Sequence, residues 1–188
     1  MARQKDGLRW RLREETRETH KELDYQVSDL DLATRGGLTA FLAGNALAHA
    51  ALIPFDFEFD GHMARRVALI ERDLDTLGVP MPDRGLVFEA PTVASAPGYR
   101  YVIAGSAMGG RILARRHAAS ADRSIHDADH LLGDPLLGDY WAEVQAELEK
   151  MPEEGPEAEA IIAGANACFA LFAAAFAAAA EPLLLAAE

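Results

Sequence analysis

The chain has 188 residues, half of them hydrophobic, a length that suits one domain with a buried core. Alanine supplies 37 of those residues and aromatics only 7%, a mix that favours helix over strand and excludes collagen-like, disordered and disulfide-scaffold chains. Eighteen basic against 30 acidic residues leave a formal net charge of −12, which repels phosphate backbones and argues against general nucleic-acid binding.

The first fifteen residues are charged throughout and lead into no apolar core, unlike a signal peptide. Periodicity predicts a first helix from Leu8 to about Tyr25, with Leu8, Leu12, Thr16, Thr19 and Leu23 facing inward. A second helix is expected from roughly Leu38 to Ile53, bounded by Gly36-Gly37 and Pro54. The alternating run FDFEFDGH that follows is short and has no partner strand, so it reads as a connecting loop or turn. A third helix, Met63 to Leu77, places Val67, Ile70, Leu74 and Leu77 at i, i+3, i+7 and i+10, and Gly78 stops it.

Pro80, Pro82, Pro91 and Pro97 make residues 79–97 a crossing segment, after which a fourth helix runs from about Tyr99 to Ala119. A polar stretch with room for one short helix precedes a helix from Leu136 to Met151 with Trp141, Val144 and Leu148 inward, ended by Pro152, Gly155 and Pro156. The last helix is the alanine-rich run Ala160 to Ala180, ending near Pro182. It is uncharged and long enough to cross a bilayer. Alanine contributes little to partitioning, however, Gly164 and Asn166 interrupt the run, and Ile161, Ile162, Phe169, Phe172 and Phe176 largely recur at helical spacing. The expectation is a buried core helix and no membrane contact. With no solenoid repeat and no strand–turn–helix alternation, the chain reads as an all-α single domain over residues 1–188. The single cysteine, Cys168, lies in the apolar run; it excludes an internal disulfide, suits a small buried hydrophobe and points to a cytoplasmic protein.

Two constellations stand out. On the first helix Arg13, Arg17, His20 and Asp24 fall at i, i+4, i+7 and i+11, a stripe flanking the apolar one. Arg13 precedes His20 by about 10 Å of helix rise. A ligand bound to His20 through a metal and carrying carboxylates to one side would find guanidinium groups at that reach, and haem, with axial histidine ligation and two propionates, is such a ligand. A solvated basic face paired with Glu14, Glu15, Glu18 and Glu22 is the plainer alternative. On the fourth helix Gly105, Gly109 and Gly110 lie within two turns, each costing about 1 kcal/mol relative to alanine. Either a neighbouring helix approaches that face closely, or a flat macrocycle lies against it with room left for a small gas ligand.

Together the runs LRWRLREETRETHKELD and YVIAGSAMGGRILARR resemble the bacterial haem oxygenases, particularly those associated with phytochrome chromophore synthesis. Their order and separation, the chain length, and the later Tyr140-Trp141 with Val144 and Leu148 also resemble that family. The resemblance implies a haem-oxygenase-like helical bundle that opens haem to biliverdin, CO and iron with O₂ and reducing equivalents. It implies His20 as the proximal iron ligand, Arg13 and Arg17 at the propionates, and Gly105, Gly109 and Gly110 on the distal side. Ser106 is the candidate for holding a distal water. The implied partners are haem, O₂, an electron donor such as a ferredoxin or flavoprotein reductase, and a biliverdin-accepting photoreceptor. A local basic patch drawn from Arg9, Arg11, Arg13, Arg111, Arg115 and Arg116 would let an acidic donor approach despite the net charge.

Three departures bear on these roles. Animal members carry an acidic residue near the position of Ser106, bacterial relatives often have Glu where this chain has Ala104, and nothing basic or phenolic follows Lys150 in the final helix. Arg13 and Arg17 would then carry more of the propionate binding, helped by Arg9 or Arg111. The same departures favour the alternative of a non-catalytic haem-binding or adaptor protein on this fold. His126 and His130 are four apart but lack a third ligand, so they read as a polar surface turn rather than a metal site, and His49, His62 and His117 as solvent-facing or core-satisfied.

Overall fold

Leu8 and Leu12 are fully buried, as the first stripe requires, yet the helix they begin does not run on unbroken. Helix α1 (Leu8–Glu15) ends at the buried Thr16, and α2 (Arg17–Ser28) restarts beyond it. The Thr16 hydroxyl donates to the Leu12 carbonyl at 2.7 Å, a side-chain bond back into the preceding turn of the kind that bends helices. In the computed structural model the described residues are 7–83 and 85–185, with the side chains of 107, 136, 137 and 181–185 outside the description.

Five further helices follow: α3 (Arg35–Leu52), α4 (His62–Thr76), α5 (Ala96–Ala118), α6 (Leu136–Leu148) and α7 (Pro156–Leu185), with no strand among the described residues. The all-α expectation holds. Helix α3 begins three residues earlier than expected because Thr34 caps it, its hydroxyl oxygen accepting from the Gly37 N–H at 3.2 Å. The run after it is a 3-10 turn over Ile53–Phe59 that reverses through Asp60 and Gly61, both at positive φ. Helix α6 stops at Leu148 rather than Met151, and α7 starts at Pro156, four residues before the alanine-rich run.

Helix α7 is the centre of the packing: α1, α2, α3 and α5 all contact it. Its small residues let neighbours close in. A Cβ on Gly98 of α5 would overlap the Ile161 carbonyl, and one on Gly164 would overlap the Ser95 carbonyl, so these two glycines set the approach of α5 to α7. Ala158, Ala165, Cys168 and Ala175 are fully buried on α7, and burial raises the Cys168 thiol pKa, so the cysteine is a core residue. Both α7 and the stretch Arg35–Phe59 are long and apolar enough to cross a membrane, and 56% and 67% of their apolar windows are buried within the fold, as in core helices.

Helix α4 departs from its expected stripe. Met63, Ile70 and Leu74 are buried, Val67 is only half-buried, and the remaining inward places are taken by Arg66 and Asp73. Asp73, fully buried, accepts from the backbone N–H groups of His130 and Leu131, both at 2.9 Å, and pairs with His130 Nδ1 at 2.7 Å. His130 therefore serves as a clasp between α4 and the segment before α6. No cluster of metal-ligating side chains occurs among the described residues.

Candidate functional site

Helices α2 and α5 each pack on α7 and make no substantial contact with one another. Between them lies a cleft of about 1050 Å³, at the upper end of the ~300–1,000 Å³ typical of small-molecule sites. Phe169, Phe172 and Phe176, on one face of α7, line it. Helix α2 packs on α7 yet has no fully buried residue, and His20, Leu23, Asp24 and Val27 of its inward face also border this space. All seven residues singled out from the sequence, Arg13, Arg17, His20, Gly105, Ser106, Gly109 and Gly110, border the same cleft.

The His20 side chain is 58% exposed, and its Nδ1 lies 3.3 Å from Asp24 Oδ2, one turn on. Its ring stands edge-on to Phe169, with centroids 5.4 Å apart. The tautomer that donates Nδ1–H to Asp24 keeps the lone pair on Nε2, the arrangement of a metal-ligating imidazole steadied by a carboxylate. Helix α2 is held to α7 beside this ring by the Thr19 hydroxyl, 3.1 Å from Asn166 Oδ1.

The glycines of α5 divide by what surrounds them. A Cβ on Gly109 or Gly110 would meet nothing within 4 Å, and one on Gly105 would only touch the Trp141 ring at 3.6 Å. Among the described residues no neighbouring helix requires Gly109 and Gly110, in contrast to Gly98 on the same helix, so the helix-packing explanation does not apply to them. What their missing side chains leave is open volume along the cleft. The Ser106 hydroxyl donates to the Ile103 carbonyl at 2.7 Å, so its oxygen remains an acceptor toward that volume.

The basic side chains also divide. Arg17 is 66% exposed and engaged with Glu14 and Glu18 at 3.6 and 3.5 Å, as in an ordinary solvated face. Arg9 and Arg13 instead flank Trp10, each guanidinium carbon 5.3 Å from a ring centroid, and both border the cleft. Tyr101 of α5 lies near them: burial raises its phenol pKa while the charges of Arg13 and Arg9 oppose the shift, so the hydroxyl is a proton donor at neutral pH. Tyr101 in turn packs against Trp141, centroids 5.6 Å apart. The phenol missing from the last helix thus has a counterpart on α5, inside the tyrosine-bearing motif.

Sequence reasoning did not anticipate a buried polar network at the same cleft. Asn45 of α3, Arg66 of α4 and Asp134 all line it, and the two side chains on α3 and α4 belong to residues only 6% and 5% exposed. Arg66 Nε donates to His49 Nε2 at 2.8 Å, and His49 Nδ1 in turn donates to the Asn45 carbonyl at 2.8 Å, which sets the tautomer. Burial, then the Arg66 charge, lowers the His49 pKa to about 3, so the ring is neutral. Arg66 Nη1 is 3.6 Å from Asp134 Oδ2, whose other oxygen takes a 2.6 Å bond from Arg65, and Nη1 itself has no hydrogen bond among the described residues. A buried N–H left so costs about 1–3 kcal/mol unless something in the cleft accepts from it. The signal was present in the sequence as polar Asn45 and His49 four apart inside an otherwise apolar helix.

No family model matches the chain. A curated protein named Heme oxygenase, from Xanthomonas campestris pv. campestris (strain 8004), is 35% identical to it over 121 residues, which make up 63% of this chain and 71% of that protein.

Proposed function

The chain belongs to the haem oxygenase family, and from that membership we propose that the cleft binds haem and that the protein opens the haem ring with O₂ and reducing equivalents, yielding biliverdin, CO and iron. The donor set fits the group. An exposed imidazole with a carboxylate behind it faces the space, three phenylalanines floor it, and two glycines border it with no atom of the described residues, beyond their own stretch of helix, within 4 Å of their Cβ positions. Haem, when bound, supplies an iron that takes up O₂ and the ring that is oxidised.

In this reading His20 ligates the iron through Nε2, and Asp24 holds Nδ1–H so that the ring keeps its tautomer. Arg13, with Arg9 and the Tyr101 hydroxyl, receives the propionates; Arg17, already paired with Glu14 and Glu18, adds only charge at longer range. Gly105, Gly109 and Gly110 leave backbone where side chains would crowd a small gas molecule. Ser106 Oγ would accept from an ordered water there, and Asn45, one of whose amide N–H groups donates to the Phe41 carbonyl at 2.9 Å, offers Oδ1 as a second acceptor. Arg66 Nη1 would donate to an ordered water in the cleft, which would satisfy the N–H that has no partner among the described residues. The phenylalanines exclude bulk water from the reacting ring. The lone buried Cys168 suits a reducing cytoplasm.

The observation that carries the reading is an exposed, carboxylate-backed imidazole sharing one cleft with a glycine face that no packing explains. Haem titration tests it. The protein should saturate at one equivalent with a histidine-ligated Soret band, and reductant in air should turn that spectrum into biliverdin. A Soret band that persists under those conditions assigns the protein to haem carriage, and no saturable change removes haem altogether.

A further inference from the structure

The cleft has a second cationic end, which neither iron ligation nor propionate binding uses. Contacts along α7 fix its place: Arg11 of α1 reaches Glu159, the His20 ring meets Phe169, and the His49 ring packs edge-on to Phe172. From Glu159 to Phe172 is about 20 Å of helix rise, so the α1 arginines and the Arg66–His49 pair stand toward opposite ends, with His20 between them. Arg66 is 5% exposed and lines the cleft with Asn45 and Asp134. Burial lowers its pKa to about 10, against the pull of the Asp134 carboxylate, so the guanidinium stays charged at neutral pH. Arg65 takes part of the same carboxylate at 2.6 Å, so two guanidinium groups share one anion, and Arg66 Nη1 has no hydrogen bond among the described residues. His49 beside it is neutral and adds no compensating charge. What this end lacks is a hydrogen-bond acceptor.

We propose that the Arg66 guanidinium is a product-binding group, which donates to a terminal lactam carbonyl of the linear tetrapyrrole left when the haem ring opens. The proposal rests on the haem-degrading reading above. With the propionates at Arg9 and Arg13 and the iron on His20, the macrocycle turns its opposite edge toward Arg66. That edge of haem carries only hydrocarbon groups, so it offers Arg66 no acceptor and water has to serve instead. Opening the bridge on that edge releases its carbon as CO and leaves an oxygen, taken from O₂, on each of the two pyrroles it joined. The missing acceptor thus arrives with the product, and a carbonyl bonded to a buried guanidinium replaces the water. Arg66 distinguishes product from substrate by an atom that only the product has.

Absorbance titrations of the purified chain with haem and, separately, with biliverdin test the assignment. Arg66→Met keeps an unbranched stem and removes every N–H; it should weaken biliverdin about tenfold or more, as a lost hydrogen bond to a charged group does, and leave haem within about twofold. Arg66→Lys retains a charge beside Asp134 and should fall between the two, which keeps the comparison open if the methionine variant does not fold. The wild-type chain alone supplies an independent reading. It should bind the biliverdin isomer opened on the edge remote from the propionates about tenfold more tightly than the isomer opened between the propionate-bearing rings, whose carbonyls would lie at Arg9 and Arg13. Biliverdin affinity equal to wild type in the Arg66 variants, an equal loss for haem and biliverdin, no preference between the isomers, or no saturable biliverdin binding by wild type overturns the subsite. A wild-type chain that does not saturate with haem counts instead against the haem-degrading reading, and the biliverdin titrations then judge the Arg66 subsite by themselves.

Discussion

Replacing His49 with glutamine isolates the energetics of the buried network. The ring is 1% exposed, sits between Arg66 Nε and the Asn45 carbonyl, and packs edge-on to Phe172 at 5.3 Å. Burial and the Arg66 charge bring its pKa from 6.5 to about 3, against the opposing pull of the Asn45 carbonyl. The unfolded chain binds a proton near pH 6.5 that the folded chain refuses, so the stability conferred by the neutral ring is complete above that pH and is lost as pH falls toward 3. At about 1.4 kcal/mol per pH unit, the loss between about pH 7 and about pH 4.5 is ~2.5 kcal/mol, a large part of the 5–15 kcal/mol that typically holds a fold together. Carboxylates titrate in the same window, so the informative quantity is the difference between wild type and His49→Gln, which cannot take up the proton. Urea unfolding followed by helical circular dichroism at several pH values measures it. The wild-type advantage should shrink by ~2.5 kcal/mol across that range. Curves that stay parallel within about 0.5 kcal/mol would refute the buried, neutral His49.

Other substitutions follow from the same geometry. Gly109→Ala should leave the fold as stable or add up to ~1 kcal/mol, since its Cβ meets open space, while Gly98→Ala should destabilise because its Cβ would overlap the Ile161 carbonyl; thermal melts compare the two. Gly109→Leu should retain the fold yet lower haem affinity at least tenfold by occupying the cleft, as read by Soret titration. His20→Ala should keep the melting temperature within about 2 °C, because the side chain is 58% exposed, and abolish the histidine-ligated haem spectrum. Tyr101→Phe combined with Arg13→Ala should weaken haem binding by about 10- to 100-fold, more than Arg17→Ala alone, whose guanidinium is already paired with two glutamates.

Much of the fold was legible because small and large residues alternate so plainly along the helices. Phe169, Phe172 and Phe176 rise from an alanine background at one helical face, and that face is where the cleft floor lies. The break at Thr16 was not legible: the buried threonine fits the inward stripe, and the bend goes with its hydroxyl bond to the Leu12 carbonyl, which spacing alone does not reveal. The first-helix and glycine motifs led to seven residues that border one cleft, but periodicity could not separate Arg13, which stacks on Trp10, from Arg17, which faces glutamates. The polar end of the cleft was hidden for a different reason. Arg66 and Asp73 occupy inward positions of α4, where a hydrophobic count scores them as interruptions; their partners, His49, Asp134 and His130, come from α3 and the segment before α6, so the compensation is purely tertiary. The same holds for Tyr101, whose role depends on α1 arriving beside α5.

The central claim is that this cleft holds haem between His20 and the glycine face of α5 and that the protein degrades it. The most direct measurement is the absorption spectrum of the haem-loaded protein during reduction by ascorbate in air, with CO trapped by ferrous myoglobin. The account predicts decay of the Soret band, a rising biliverdin spectrum and about one CO per haem, all absent in His20→Ala. A Soret band that endures with no CO released would contradict it.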